Sequence, residues 1–258
     1  LASPGARAQI VTSSSESDAL QGTVIKCVLN VSPALCTTTT IAPVAQSVTS
    51  TTGSNEDAVP SASQSINNVQ VYNISNIDDT TSDSDTASND SGTGEARTGQ
   101  VSILQGLVTF TSSDTPLTCA TNSSHPGEID CNSAQTIQGA QINGVPIPLG
   151  TYPAGTSFPV SGPINDPDCL LGTETFTGNL VFQESAIQGN GTPQGMVNQT
   201  GWRLAGTATC TVAGLVRLFT TQYDLSGNGP GYQFYSPEGE LFILDYDADA
   251  TGFERTHP

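Results

Sequence analysis

Trp202-Arg203-Leu204-Ala205-Gly206-Thr207-Ala208-Thr209-Cys210-Thr211-Val212 continues through Ala213-Gly214-Leu215-Val216-Arg217-Leu218-Phe219-Thr220. The even positions are Trp202, Leu204, Gly206, Ala208, Cys210, Val212, Gly214, Val216 and Leu218. The odd positions include Arg203, Thr207, Thr209, Thr211 and Arg217. Apolar and polar residues alternate with a period of two, the pattern of a strand with one buried and one solvated face. The stretch outruns an ordinary strand, which predicts a bulge or bend at Gly206 or Gly214.

The neighbouring sequence reads the same way. Phe176 to Ile187 is a strand with Phe176, Leu180 and Phe182 on one face, and Gln100 to Phe110 is a third strand. Asn143-Gly144 lies between Ala140-Gln141-Ile142 and Val145-Pro146-Ile147-Pro148-Leu149. Asn-Gly supplies the positive φ angles of a tight hairpin turn. Pro146 and Pro148 make the second arm an edge strand. A second hairpin is predicted from Tyr232-Gln233-Phe234-Tyr235 through Ser236-Pro237-Glu238-Gly239 to a strand ending at Tyr246. Helical candidates are nearly missing. The expectation is an all-β, disulfide-stabilised sandwich or barrel-like domain spanning residues 9–258. Residues 37–65 and 78–99 are Ser/Thr-rich and of low complexity, and are expected as long surface loops.

The 258 residues carry six Lys plus Arg against 24 Asp plus Glu, a formal charge of −18, and Lys26 is the only lysine. Six scattered cations cannot build a phosphate-neutralising patch, so nucleic acid is excluded as a partner. No apolar run reaches the ~18 residues of a transmembrane segment. Cys27, Cys36, Cys119, Cys131, Cys169 and Cys210 contain no Cys-x-x-Cys spacing. An even count without metal spacing points to disulfides and an oxidising compartment. Pairing by proximity gives Cys27–Cys36 and Cys119–Cys131, leaving Cys169–Cys210; the other connectivities stay open. Ala6-Arg7-Ala8 before Gln9 reads as a signal-peptidase site, with residues 1–8 as a signal-peptide remnant or a plain polar tail. Asn-x-Ser/Thr sequons at Asn30, Asn73, Asn89, Asn122, Asn190 and Asn198 are candidate glycosylation sites.

Candidate chemistry is sparse. Asp245, Asp247 and Asp249 alternate with Tyr246, Ala248 and Ala250, which fits a strand edge bearing three carboxylates or a calcium site. Asp78, Asp79, Asp83, Asp85, Asp90 and Glu95 read as a solvated acidic loop, with weak calcium binding as the alternative. No other cofactor is expected. There is no Gly-x-Ser-x-Gly elbow, and the two histidines, His125 and His257, fall in loop and tail contexts. The chain is not expected to be an enzyme, a secreted hydrolase being the remaining alternative. Tyr232, Phe234, Tyr246 and Phe253 are candidate sugar-stacking rings, with core packing as the competing reading.

Two segments resemble known families. Gln100 to Val108, Ile142 to Pro148 and Leu180 to Glu184 resemble the pattern of bacterial secreted choice-of-anchor proteins. Gln105 stands where that pattern has a glycine, and Phe182-Gln183 where it has Asn-Glu. The resemblance implies an extracellular surface protein without a known catalytic role. Gly231 to Gly239, Tyr246 to Asp249, Gly252-Phe253 and His257-Pro258 resemble the second half of the Rebers–Riddiford cuticle motif, which implies chitin binding by Tyr232, Phe234, Tyr246 and Phe253. The leading expectation is a secreted structural or adhesive surface protein, a filament or matrix subunit that pairs strand edges with copies of itself, with Gln9 to Asp18 as a donated strand. The alternative is a module that binds surface polysaccharide.

Overall fold

The computed structural model describes residues 12–29, 35–50, 52–85, 90–121, 128–148, 153–170, 172–189, 191–212, 216–235 and 242–244. The described residues form strands and connecting turns, with no helix. One sheet contains β1 (Thr12–Val28), β2 (Leu35–Thr49), β13 (Thr156–Ile164), β14 (Gly172–Gln188), β15 (Gln194–Val212), β16 (Val216–Gly227) and β17 (Gly231–Tyr235). The other is built on β3 (Gly53–Ile66), β4 (Val69–Asp85), β5 (Asp90–Thr98), β6 (Val101–Ile103), β7 (Val108–Phe110) and β8 (Ser112–Thr121). It is completed by β9 (Glu128–Ser133), β10 (Thr136–Gln138), β11 (Gln141–Ile142), β12 (Val145–Pro146) and β18 (Phe242–Leu244). All described pairings are antiparallel except β18 on β9. The expected disulfide-stabilised β-sandwich class holds.

In the first sheet the order is β13-β14-β15-β16-β1-β2, and β16 and β17 lie in line between β15 and β1. The stretch Trp202 to Thr220 is therefore two strands. β15 and β16 run antiparallel from Val212 opposite Val216, and the ladder shifts register between Cys210 and Thr211. Within β15 the alternation holds, with Trp202, Leu204, Ala208 and Cys210 fully buried. The reversal changes the phase: on β16 Phe219, Tyr223 and Leu225 are buried, while Val216, expected on the apolar face, is exposed. Trp202, Leu204 and Ala208 join Phe110, Val108, Ile74 and Ile103 of the second sheet in the main core, while Cys210 packs with Cys169 and Phe219. Phe110 sits 5.8 Å from Trp202 and 6.1 Å from Phe182, tilted against both.

Four expectations need correction. Gln100 to Phe110 is a hairpin, β6 to β7, turned by Leu104, Gln105 and Gly106, all at positive φ. Tyr232–Tyr235 does not pair with the strand that follows it. Among the described residues β17 pairs with β1 and β15, while β18 pairs with β9. The described residues of segments 37–65 and 78–99 lie mostly in β2, β3, β4 and β5 rather than in loops. Thr and Ser tolerate extended backbone, and inward positions here need hydroxyls and small residues, so an apolar pattern was absent. Of the expected donated strand, residues 12–16 pair with β17 and residues 15–18 with β2 within the same chain, so this described part is not free for donation. Residues 9–11 lie outside the described residues.

The hairpin at Asn143-Gly144 forms as predicted, with φ of 52° and 72°, and β12 is the edge strand. The three disulfides are Cys27–Cys36, Cys119–Cys131 and Cys169–Cys210. The first two join residues directly opposite each other across β1–β2 and β8–β9.

Candidate functional site

The two sheets meet through a polar seam beside the apolar core. Inward positions of β1 are Ser13, Ser15 and Ser17, all buried, and they face Asp79, Thr81 and Asp83 of β4. Ser13 Oγ lies 2.8 Å from Asp83 Oδ1 and also contacts Asp85, and Ser15 Oγ donates to the Ser82 carbonyl at 3.0 Å. Thr81 shares hydroxyl bonds with Ser47 at 2.9 Å and Thr49 at 2.7 Å. The facing strand β5 turns Asp90, Gly92, Gly94, Ala96 and Thr98 inward. A Cβ on Gly92 would collide with the Tyr232 ring and the Ser15 hydroxyl, so glycine sets the close approach of the sheets.

Burial controls the charge of this seam. It pushes Asp79 up to about 8, helped by the charges of Asp18 and Asp57. Burial followed by repulsion from Glu16 pushes Asp18 up to about 7, and burial also raises Asp83. Asp79 Oδ2 and Asp83 Oδ2 have no hydrogen-bond partner, which a protonated carboxyl tolerates better than a carboxylate. The expectation of a solvated acidic loop is thus corrected: Asp79, Asp83 and Asp90 are buried because alternate residues of β4 and β5 face the opposite sheet. Among the described residues, no group of three His, Cys, Asp or Glu side chains is arranged to hold a metal ion.

The predicted sugar-stacking residues separate. Tyr232 and Phe234 are 2% and 1% exposed and pack with Leu117, Ile129, Val197 and the Cys119–Cys131 disulfide. Both face inward on β17 and present no ring to solvent, which corrects their assignment as a sugar platform. Tyr246, Phe253, Asp245, Asp247 and Asp249 lie outside the described residues, as do His125 and His257. Of the sequons, Asn73 is exposed on β4 and Asn198 is half-buried on β15. Asn30, Asn89, Asn122 and Asn190 lie outside the described residues.

Solvent-facing features are few. The outer face of the first sheet has a groove of about 440 Å³ lined by Arg203, Asp224, Glu184 and Thr40. Arg203 grips both Asp224 oxygens at 2.8 and 2.9 Å, and these bonds hold Asp224 below the usual carboxylate range. The guanidinium is thereby already committed within the protein.

The first half of β2 is different. Leu35-Cys36-Thr37-Thr38-Thr39-Thr40-Ile41-Ala42 carries no charge, and all but Thr39 and Ile41 are exposed. Leu35 is 66% exposed and lies opposite exposed Val28. Among the described residues β2 pairs only with β1, leaving its outer edge unpaired. Other edges carry guards against pairing: β13 has Pro159 and Pro163, and β3 has Pro60 with Glu56 and Asp57. The sequence displayed the Thr run but not its position, since edge status depends on strand order.

No protein-family model matches the chain, and no curated protein matches it significantly.

Proposed function

We propose that this chain is a secreted structural or adhesive surface protein whose copies join through the outer edge of β2. The observation that carries the reading is an uncharged, threonine-rich edge from Leu35 to Ala42, exposed except at Thr39 and Ile41, in a chain of formal charge −18. Like-charged molecules repel, so close contact is favoured where charge is lacking. An exposed strand edge offers backbone N–H and C=O groups for pairing, and threonine suits an added strand. The three disulfides fit an oxidising compartment, and among the described residues no helix is long and apolar enough to cross a membrane. The segments resembling choice-of-anchor surface proteins are neighbours in space, since β6, β7, β11 and β12 adjoin in one sheet and Phe182 of β14 packs on Phe110.

The double substitution Thr38→Lys with Thr40→Lys tests the reading. Lysines on an edge strand oppose pairing without entering the core. Sedimentation velocity should show assembly lost, while circular dichroism stays unchanged. Assembly equal to that of the unsubstituted protein would exclude this edge.

A further inference from the structure

Lys26, the only lysine in the chain, lies on β1 with its amine between two aspartates. Its Nζ lies 2.9 Å from Asp166 Oδ2 and 2.7 Å from Asp168 Oδ2, and 4.2 Å from the centroid of the Phe219 ring. The Lys26 side chain is 13% exposed, that of Asp166 only 2%, and that of Asp168 57%. Glu174 of β14 completes the cluster at 1% exposure, its carboxyl set beside Asp166 and Thr221. Burial and then the charge of Asp166 push Glu174 up to about 7, against the pull of Lys26. The Asp168 N–H donates to Asp166 Oδ1, and Cys169 is tied to Cys210, whose backbone lies opposite Glu174. The amine, the acid and the neighbouring Glu174 carboxyl are therefore held together by a disulfide and two strands.

This arrangement exceeds what an ion pair needs. A buried charge pair bears a desolvation cost, and a second buried acid beside it adds to that cost. An amine and a carboxyl held in contact have a high effective concentration for reaction. A carboxyl that titrates near neutrality can give and take protons there.

We propose that Lys26 and Asp166 condense in the folded protein to an intramolecular amide bond, with Glu174 moving the protons. One proton passes from the Lys26 ammonium to the Asp166 carboxylate, leaving a neutral amine and a neutral acid. The Nζ lone pair attacks Asp166 Cγ and the C–N bond forms. Glu174 protonates the departing hydroxyl and takes a proton from nitrogen, so it ends as it began. The Cγ–O bond breaks and one water leaves. Ammonium plus carboxylate thus become amide plus water, with no oxidant or reductant. Asp166 is the partner because its side chain is buried beside Glu174, whereas Asp168 is open to solvent. A cavity of about 530 Å³, lined in part by Asp166, Cys169 and Glu174, adjoins the reacting groups and receives the water. The bond would staple β1 to the segment before Cys169 and would survive reduction. It does not depend on assembly through β2.

Peptide mass mapping of the reduced, denatured protein tests this. The segments containing Lys26 and Asp166 are expected as one branched peptide, lighter than their sum by one water, with no tryptic cleavage after Lys26. Lys26→Arg should keep the fold, by circular dichroism, and yield only linear peptides. Glu174→Gln, close in shape but unable to act as an acid, should leave most chains unlinked. Linear peptides of full mass from the unsubstituted protein would overturn the proposal. Full linkage in Glu174→Gln, or a link at Asp168, would overturn the role given to Glu174.

Discussion

Asn228 is a single polar side chain that ties the two sheets. It is fully buried at a φ of 54°, in the junction between β16 and β17. Its Nδ2 donates to the carbonyls of Ala96 at 2.8 Å and Ser113 at 3.1 Å, and its Oδ1 lies 3.4 Å from the Thr98 hydroxyl. Its backbone N–H donates to Ala19 and its carbonyl accepts from Gly201. Asn228→Ala removes the side-chain bonds from a dry site and places alanine at a left-handed φ. Denaturant titration should show a loss of about 2–4 kcal/mol. A change near zero would mean that water replaces the amide. Asp79 works through its proton. The ordinary value is 3.8 and the folded value about 8, so between them the folded chain keeps a proton that the unfolded chain has released. Stability therefore falls as pH rises through that window, and Asp18, at about 7, adds the same sign up to its own value. Asp79→Asn preserves the neutral shape. It should match the parent near pH ~4 and exceed it by about 1–3 kcal/mol near pH ~8. An unchanged pH slope in denaturation would show that Asp79 ionises freely.

At the scale of strands, legibility depended on where each residue's partner lies. Phe176, Leu180, Phe182, Trp202 and Leu204 alternate against an apolar face, so their strands were readable locally. Asn143-Gly144 was readable because its turn requires positive φ at both residues. The first two cysteine pairs were readable because each bridges strands adjacent in sequence. β4 and β5 were not. Their inward acids, glycines and threonines make sense only against Ser13, Ser15 and Ser17, and Ser13 meets Asp83 across a separation of 70 residues. The reading of Tyr232 and Phe234 failed for a related reason. Alternation places both on one face, but only the position of β17 between β1 and β15 shows that this face is the inner one. The Lys26 cluster left just two traces in sequence, a solitary lysine and the spacing of Asp166 and Asp168. Glu174 joins it through strand pairing alone.

For the whole molecule, the balance between charge and self-association governs the account. The formal −18 overstates the charge carried near neutrality, because Asp18, Asp79 and Glu174 have folded values of about 7, about 8 and about 7. The remaining acids favour solubility, and repulsion between copies weakens as salt screens it. Assembly through the uncharged half of β2 should accordingly strengthen with ionic strength, whereas contacts made by salt bridges would weaken. Negative-stain electron microscopy of the purified protein at high concentration, at low and at moderate salt, tests this most directly. The account predicts filaments or ordered oligomers that become more abundant with salt and disappear in the Thr38→Lys, Thr40→Lys protein. Monodisperse monomers under every condition would contradict it.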